Sequence, residues 1–377
     1  MEIERFKIGI LINSNYSLFS NGIIQNAYFL HECLESAGFV CEFLCPEKNP
    51  KEFAYKHISL KTISTDKLLF KATDYKLIIT VTTGLTPEEY AMFKDSNIRV
   101  VGLICGNQYV VDQECFIRGS SDNSFHFIGK QNNVDELWLI PQFHYSLEYV
   151  QIIRNKPVYM VPHLWSPKIV VNELLRKNKA IIELEYNPTI HKSSSIEIYI
   201  VEPNIGLYKT ALVPLLAAEK INVSKDEDIT NVHLYNCPQN NHTDLILGNM
   251  TIYKHIRKYG RIAISDILLE CNKRNTIPIF VCHQLLHSLN YLYYELLYFG
   301  YPFVHNSPEL EKFGYYYPNN DISKCAEMIR YAATHHNKHI STYLDLSRKW
   351  IHDNISSDNS VIQQKFKDMA MSNITIH

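Results

Sequence analysis

Short apolar runs alternate along this chain with longer stretches of helical spacing, and polar turns punctuate them. Phe6 to Asn13 (FKIGILIN) is an isoleucine-rich run, the pattern of a parallel strand buried on both faces. A polar stretch with one glycine follows, Ser14 to Gly22, and then Ile23 to Ala37 carries apolar residues at helical spacing. Gly38 stands where a helix C-cap belongs, and Phe39 to Leu44 (FVCEFL) predicts a second strand. Strand, loop, helix, strand is a βαβ crossover. The pattern repeats, with strands expected at Tyr75 to Val81, Arg99 to Cys105, Glu136 to Ile140 and Pro157 to Val161, and a short helix over Pro87 to Asp95 opened by Thr86.

A hydrophilic stretch, Lys177 to Ser195, then interrupts the alternation; Asn187-Pro188 and the Ser193 to Ser195 run are linker chemistry. Beyond it, strands are expected at Ile196 to Val201, Val232 to Tyr235, Ile262 to Ser265, Ile279 to Cys282 and Pro302 to His305. Helices are expected at Lys209 to Glu219, across most of Asp244 to Tyr259, around Ile267 to Cys271, and at Leu289 to Phe299, Ile322 to Ala333, Tyr343 to Asn354 and Val361 to Met371. The spacing therefore predicts an α/β chain of two successive doubly wound parallel-sheet domains joined near residue 180.

Composition narrows the class. The chain has 377 residues, a length that suits two cores better than one. With 46% apolar and 20% charged residues it is globular rather than disordered. A net charge of −2 without a basic stripe argues against nucleic acid as a partner. The expectation is no transmembrane segment and no secretory leader, hence a cytoplasmic protein, or one in the host cytoplasm if its source is viral. Nine scattered cysteines read as reduced thiols, and no spacing supports a metal site. Asp226-Glu227-Asp228 reads as a solvated loop, and His335-His336-Asn337-Lys338-His339 as a helix terminus or loop.

Ligands of open parallel sheets bind beyond the carboxyl ends of the strands, so the candidate chemistry lies in the strand-to-helix loops. The first, Asn13 to Gly22, matches neither GxGxxG nor GxxxxGKT. Two readings stand for it: an anion site at a helix N-terminus including Asn21 and Gly22, or a plain helix cap by Ser20 or Asn21. The second, Val201 to Thr210 (VEPNIGLYKT), carries Lys209 at an expected helix start, where a cation opposes the dipole. A strongly anionic group such as a diphosphate, gripped by lysine and helix N–H groups together, explains that placement; a solvent-exposed lysine is the other reading. The third runs from His283 to Ser288 into a helix where Glu295 sits among apolar neighbours, Leu292 and Phe299 included. A carboxylate on that face needs partners, either ribose hydroxyls or an internal salt bridge. The strand after it ends in the polar His305-Asn306-Ser307-Pro308.

The block from Ile200 to Pro308 resembles the donor-binding half of GT-B glycosyltransferases, especially the glycogen-synthase-like and family 4-like ones. In those enzymes a lysine after the first strand contacts the donor diphosphate, and Lys209 stands at the matching place. They also carry two glutamates eight positions apart before a helix that ends in Gly-x-Pro. Glu295 matches the second glutamate, Gly300-Tyr301-Pro302 matches the helix end, and His287 replaces the first glutamate. The chain is more similar still to a family of largely uncharacterised bacterial and viral GT-B-like proteins. The matching motifs are Ser20-Asn21-Gly22-Ile23-x-Gln25-Asn26, Gly106-Asn107-x-Tyr109, Asp112-x-Glu114, Val161-Pro162-x-x-Trp165-Ser166-Pro167, Glu202-Pro203-Asn204, Lys209-Thr210, Leu289 to Tyr293 and His305 to Pro308.

The resemblance implies two Rossmann-like domains facing across a cleft. Residues 1–180, with a C-terminal helical return over about 343–377 anchored by Trp350, would form the acceptor side, and 181–342 the nucleotide-sugar side. It implies transfer of a sugar from a nucleotide-diphosphate sugar to a glycan, glycolipid, glycoprotein or other hydroxyl acceptor, with no metal and no cofactor beyond the donor. Donor binding would fall to Asn21, Gly22, Asn204, Lys209, His283, Asn290, Glu295, Asn306 and Ser307. Lys209 and the N–H groups near Asn306 and Ser307 would steady the leaving diphosphate, and Glu295 would hold the ribose. An inverting course would need a base, for which Asp112 and Glu114, in the loop after the strand ending at Cys105, are the candidates. His163, like His283, sits at an expected strand end, where two readings stand: contact with the sugar or a phosphate oxygen, or a satisfied structural histidine. A sugar epimerase, a phosphorylase, and a degenerate enzyme that only binds are the rival readings. The oligomeric state stays open.

Overall fold

The isoleucine run at the start becomes β1 (Lys7–Leu11), the second strand of a βαβ unit becomes β2 (Val40–Cys45), and α1 (Ile23–Ser36) joins them. The computed structural model describes residues 7–375 apart from 17, 19–21, 52–59, 64–70, 82, 119–131, 203, 205, 226–227 and 238–240. The chain continues through β3 (Lys61–Thr62), β4 (Leu77–Thr80), α2 (Pro87–Asp95), β5 (Arg99–Ile104), α3 (Gln108–Arg118), β6 (Glu136–Leu139), α4 (Leu147–Arg154) and β7 (Val158–Met160). These seven strands form one parallel sheet in the order β3-β2-β1-β4-β5-β6-β7. β4 and β6 are buried along their whole length, as strands covered by helices on both faces must be. α2 begins where expected: Thr86 accepts from the Glu89 N–H at 3.2 Å while Glu89 accepts from the Thr86 N–H at 2.8 Å, a capping box.

After α5 (Lys168–Arg176) the pattern restarts with β8 (Ile196–Ile200), α6 (Leu212–Ser224), β9 (Ile229–Tyr235), α7 (Asn241–Gly248), β10 (Ile256–Tyr259), α8 (Ile264–Cys271), β11 (Ile277–Val281), α9 (Tyr291–Phe299), β12 (Phe303–His305) and β13 (Tyr315–Tyr316). The second sheet is also parallel, in the order β10-β9-β8-β11-β12-β13. Its core gathers Ile196, Ile198 and Ile200 of β8, Val232 and Leu234 of β9, and Ile279 and Val281 of β11 against Ala217, Ala218 and Ile221 of α6. The chain ends in α10 (Ile322–Ile355) and α11 (Ser360–Thr375). Among the described residues no helix is long and apolar enough to cross a membrane.

Several elements differ from the sequence expectation. The helix expected over Asp244 to Tyr259 stops at Gly248, and its last four residues are the edge strand β10. Arg257 and Lys258 give that strand the charged, non-pairing edge that discourages aggregation, which made it read as helix. No strand forms at Ile262 to Ser265, because α8 already starts at Ile264. The two helices expected around the His335 cluster are one 34-residue helix, α10. No glycine or proline interrupts that cluster, and His336 is buried there with Nε2 2.9 Å from Gly300 O and Nδ1 2.8 Å from the Tyr315 hydroxyl. The cluster is therefore mid-helix, neither a terminus nor a loop.

The chain divides into two compact units, 1–166 with 352–377, and 167–351, where the sequence suggested breaks at 180 and 343. α5 belongs to the second unit because Ser265 donates to Glu173 at 2.9 Å and Lys177 pairs with Asp266 at 2.6 Å, both on α8. α11 belongs to the first: Phe366 packs edge-on to Trp138 at 6.1 Å, and Asn373 donates to Glu136 at 2.8 Å. Trp350 packs within the second unit, against Tyr294 and Phe313.

Candidate functional site

In the second sheet the strand order reverses between β8 and β11, and the crevice outside such a reversal is where parallel sheets hold ligands. The loops leaving these two strands are joined. Leu285 N donates to Tyr208 O at 3.1 Å, and Lys209 and Gln284 form an antiparallel bridge. Glu202, fully buried just past β8, accepts the His283 N–H at 3.2 Å. The β12 end joins the same assembly through a reciprocal lock. Gln284 N donates to Asn306 Oδ1 at 2.9 Å, Asn306 Nδ2 donates to Gln284 O at 2.8 Å, and Gln284 Nε2 donates to Asn306 O at 3.1 Å.

Lys209 lies three residues before α6 rather than inside it, since Asn204 and Ala211 hold the loop back. Asn204, at φ +51°, donates to Glu202 O at 3.0 Å and accepts from Ala211 N at 2.8 Å, so its amide shapes the loop. The Lys209 side chain makes no hydrogen bond or ion pair among the described residues. Burial pulls its ammonium down to about 8, with the Glu202 carboxylate pulling the other way. Glu202 is pushed up to about 7 by burial, with Lys209 opposing. Its Oε2 and the Tyr293 hydroxyl have no hydrogen-bond partner among the described residues. A lysine and a glutamate each held off its ordinary pKa by burial, together at strand ends, mark this as a candidate site.

His283 is buried, and its Nδ1 lies 2.9 Å from the Tyr317 hydroxyl. That phenol donates its one proton to Cys282 O at 3.0 Å, so the imidazole is the donor between them. Burial lowers its pKa to about 4, leaving a neutral ring. Asn290 caps α9, accepting from Leu292 N at 3.4 Å. Ser307 is wholly buried: its N–H donates to His305 Nδ1 at 3.1 Å and its hydroxyl to Ser288 O. The polar groups of Asn306 and Ser307 thus hold strand ends together.

Glu295 stands apart from this network. It is 6% exposed on α9 and makes no hydrogen bond or ion pair among the described residues. Burial, with Glu173 of α5 adding a like charge, pushes its carboxyl up to about 8. Among the described residues no salt bridge answers it, and burial favours the protonated carboxylic acid. His287, at the position of the first glutamate, faces Tyr208 with ring centroids 5.7 Å apart.

In the first unit, Asn21 lies outside the described residues, and Gly22 caps α1 at φ +70°, a conformation that glycine adopts without strain. Asp112 and Glu114 lie on α3, not in a loop. Two residues apart on a helix, they point to different sides. Tyr149 donates to Asp112 Oδ2 at 2.6 Å, and burial raises the Asp112 carboxyl against the pull of that bond and of Arg154. His163 is buried, and desolvation lowers its pKa to about 3. Among the described residues no three His, Cys, Asp or Glu side chains are placed to hold a metal ion. Sequence reasoning passed over Glu202, Gln284, His305 and Tyr317 as individual residues, although Glu202 headed one of the quoted motifs. A glutamate closing an otherwise apolar strand was the available signal.

Two parallel sheets, each with a strand-order reversal and polar loops at the carboxyl ends, define the GT-B fold. The chain belongs to the DUF2827 family, whose description is a protein of unknown function and whose model matches residues 8–369. No curated protein matches it. Among solved structures, HepE of Anabaena in complex with UDP and glucose is 10% identical, covers 97% of this chain and 100% of its own, and superposes with a TM-score of 0.62. An α-glucosyltransferase in complex with UDP and a 13-mer DNA containing an HMU base is 12% identical over 98% of this chain and 99% of its own, with a TM-score of 0.62. The lipopolysaccharide outer core galactosyltransferase WaaB is 9% identical over 97% and 99%, with a TM-score of 0.53. At such identities the likeness is one of fold.

Proposed function

We propose that the chain is a glycosyltransferase that moves a sugar from a nucleotide-diphosphate sugar to a hydroxyl of a glycan or other acceptor, without a metal ion. The observation that carries this reading is the position of Lys209. It lies beyond β8 at the strand-order reversal, bridged to Gln284 beyond β11, without an ion pair of its own. A diphosphate leaving group gains negative charge as the glycosidic bond breaks, and fixed positive charge at that point lowers the barrier. Lys209 supplies the charge, and the N-terminal end of α6, three residues on, adds its dipole. Gln284, Asn306, Ser307 and Asn204 keep the loops in place around it. Glu295 accepts the ribose hydroxyls, which would satisfy the carboxyl that the chain itself leaves without partners. Asp112 is the better placed base for an inverting course, because Tyr149 fixes its orientation.

HepE and the α-glucosyltransferase are seen with UDP, which makes UDP-sugars the first donors to try. Thermal-shift titration with UDP-, GDP-, ADP- and TDP-sugars tests the reading. Stabilisation by one nucleotide series, lost in Lys209→Ala, supports it; no shift with any nucleotide sinks it. His287 in place of a glutamate keeps one second reading in view, a protein that binds nucleotide sugars without transferring them. Binding without turnover of the bound sugar would select that reading.

A further inference from the structure

The first unit has a cluster that the donor reading does not use. α3 leaves β5 after a three-residue turn and presents Tyr109 and Asp112, three apart, on one face. Tyr145 and Tyr149 enter from the segment that follows β6. Tyr109 meets Tyr149 edge to face at 5.2 Å and 73°, and Tyr145 at 6.4 Å and 74°. All three tyrosines are partly exposed, so they are not core rings. Tyr149 engages Oδ2 of Asp112, while Oδ1 carries no hydrogen bond among the described residues. Arg154, 2% exposed at the end of α4, acts electrostatically on both Asp112 and Tyr149. The same arginine lines a small recess with Thr80, Thr83 and Ile104, at the carboxyl ends of β4 and β5.

A pyranose ring offers an apolar C–H face and an edge of hydroxyl donors. Tyrosine rings receive the face at little entropic cost, and a carboxylate oxygen receives the edge. We infer that the α3–α4 face of the first unit is a subsite for a pyranose sugar, with Tyr109 and Tyr149 as the wall and Asp112 Oδ1 as the hydroxyl-binding group. As the acceptor subsite of a transferase it rests on the function proposed above; as a sugar site it stands on its own geometry. The acceptor that this chemistry selects is a glycan, since an apolar C–H face on a ring rimmed with hydroxyl donors is the mark of a pyranose.

Saturation-transfer NMR on the full chain, with methyl α- and β-pyranosides of glucose, galactose and mannose, tests the inference. The expected result is saturation concentrated on the C–H protons of one ring face. Tyr109→Leu and Asp112→Asn should each weaken the contact roughly fivefold to tenfold, while UDP binding to the same samples persists. UDP binding without any pyranoside contact overturns the sugar subsite and leaves the transferase reading intact. So does a pyranoside contact that both substitutions leave unchanged. Pyranoside contact without binding of any nucleotide overturns the transferase reading and leaves the sugar site. Silence from both ligands overturns both.

Discussion

Glu202 Oε1 accepts the main-chain N–H of His283 at 3.2 Å and so ties the end of β8 to the end of β11 where the strand order reverses. The bond spans 81 residues of sequence and is fully buried. Replacing the glutamate by alanine strands that N–H without a partner, at a cost of about 1–3 kcal/mol. Glu202→Gln keeps the accepting oxygen and should lose much less. Urea denaturation of the two variants measures the difference, and equal stabilities would show that the bond contributes little.

On the proposed function, Lys209 is the cation on which donor binding depends. A charge-assisted contact to phosphate contributes roughly 1.5–3 kcal/mol. Lys209→Ala should therefore weaken UDP binding about tenfold to a hundredfold, and Lys209→Arg should restore part of it. Calorimetric titration with UDP gives the ratio directly, and unchanged affinity in the alanine variant would remove Lys209 from the site.

Glu295 makes stability depend on pH in a direction opposite to the usual carboxylate. Its folded pKa of about 8 lies above the ordinary value of 4.5, so between these limits the folded chain keeps a proton that the unfolded chain has lost. Stability contributed by the neutral acid is present below about pH 4.5 and declines as pH rises toward 8, by at most about 1.4 kcal/mol per unit. Glu295→Gln does not titrate, so its melting temperature should gain on the parent as pH is raised from 5 to 8. A constant gap across that range would mean that Glu295 is ionised in the folded chain.

The reciprocal lock between Gln284 and Asn306 is built from separate bonds. Asn306→Ala removes two side-chain bonds to the Gln284 main chain and one to Asn319 O, at 3.0 Å. A loss of about 2–4 kcal/mol is expected. Gln284→Ala removes different bonds, Nε2 to Asn306 O and Oε1 from His287 N, so it should add a further loss. Urea denaturation reads both, and an Asn306→Ala variant as stable as the parent would contradict the lock.

His305 is wholly buried, with Nε2 2.7 Å from Phe313 O and Nδ1 accepting the Ser307 N–H. Both ring nitrogens are used, so a second proton would break a bond, and burial holds the pKa down to about 4. Between about 6.5 and 4 the unfolded chain binds a proton that the folded chain does not. Stability therefore falls as pH drops through that window. NMR of the ring should show a neutral Nε2–H tautomer at pH 6; titration of His305 near 6.5 would contradict this.

Much of the architecture was legible along the chain. The apolar runs that became β1, β4, β5, β8 and β11 are rich in β-branched residues because both faces of a parallel strand are covered. Lys209 and Glu295 could be singled out because each places a charge where its local pattern disfavours one, and Asp112 because it follows closely on a strand end. α3, α4 and α5 were not legible. Their helical faces are short, and the polar residues that open them resemble loops until the neighbouring strand ends are known.

That the strands are parallel and joined by helical crossovers follows from the local periodicity, because those forces act within a few dozen residues; the order of the strands, with its two reversals, appears only in the folded sheets. Which polar side chains remain open to a ligand was decided in three dimensions. Asn204, Asn306 and Ser307 look alike along the chain to residues that bind substrates, yet the side chain of each is engaged by backbone groups of its own fold. Glu295, Asp112 Oδ1 and the Lys209 ammonium are left without such engagement. A hydrogen bond needs its partner at about 3 Å, and no periodicity in a sequence says which distant loop arrives there.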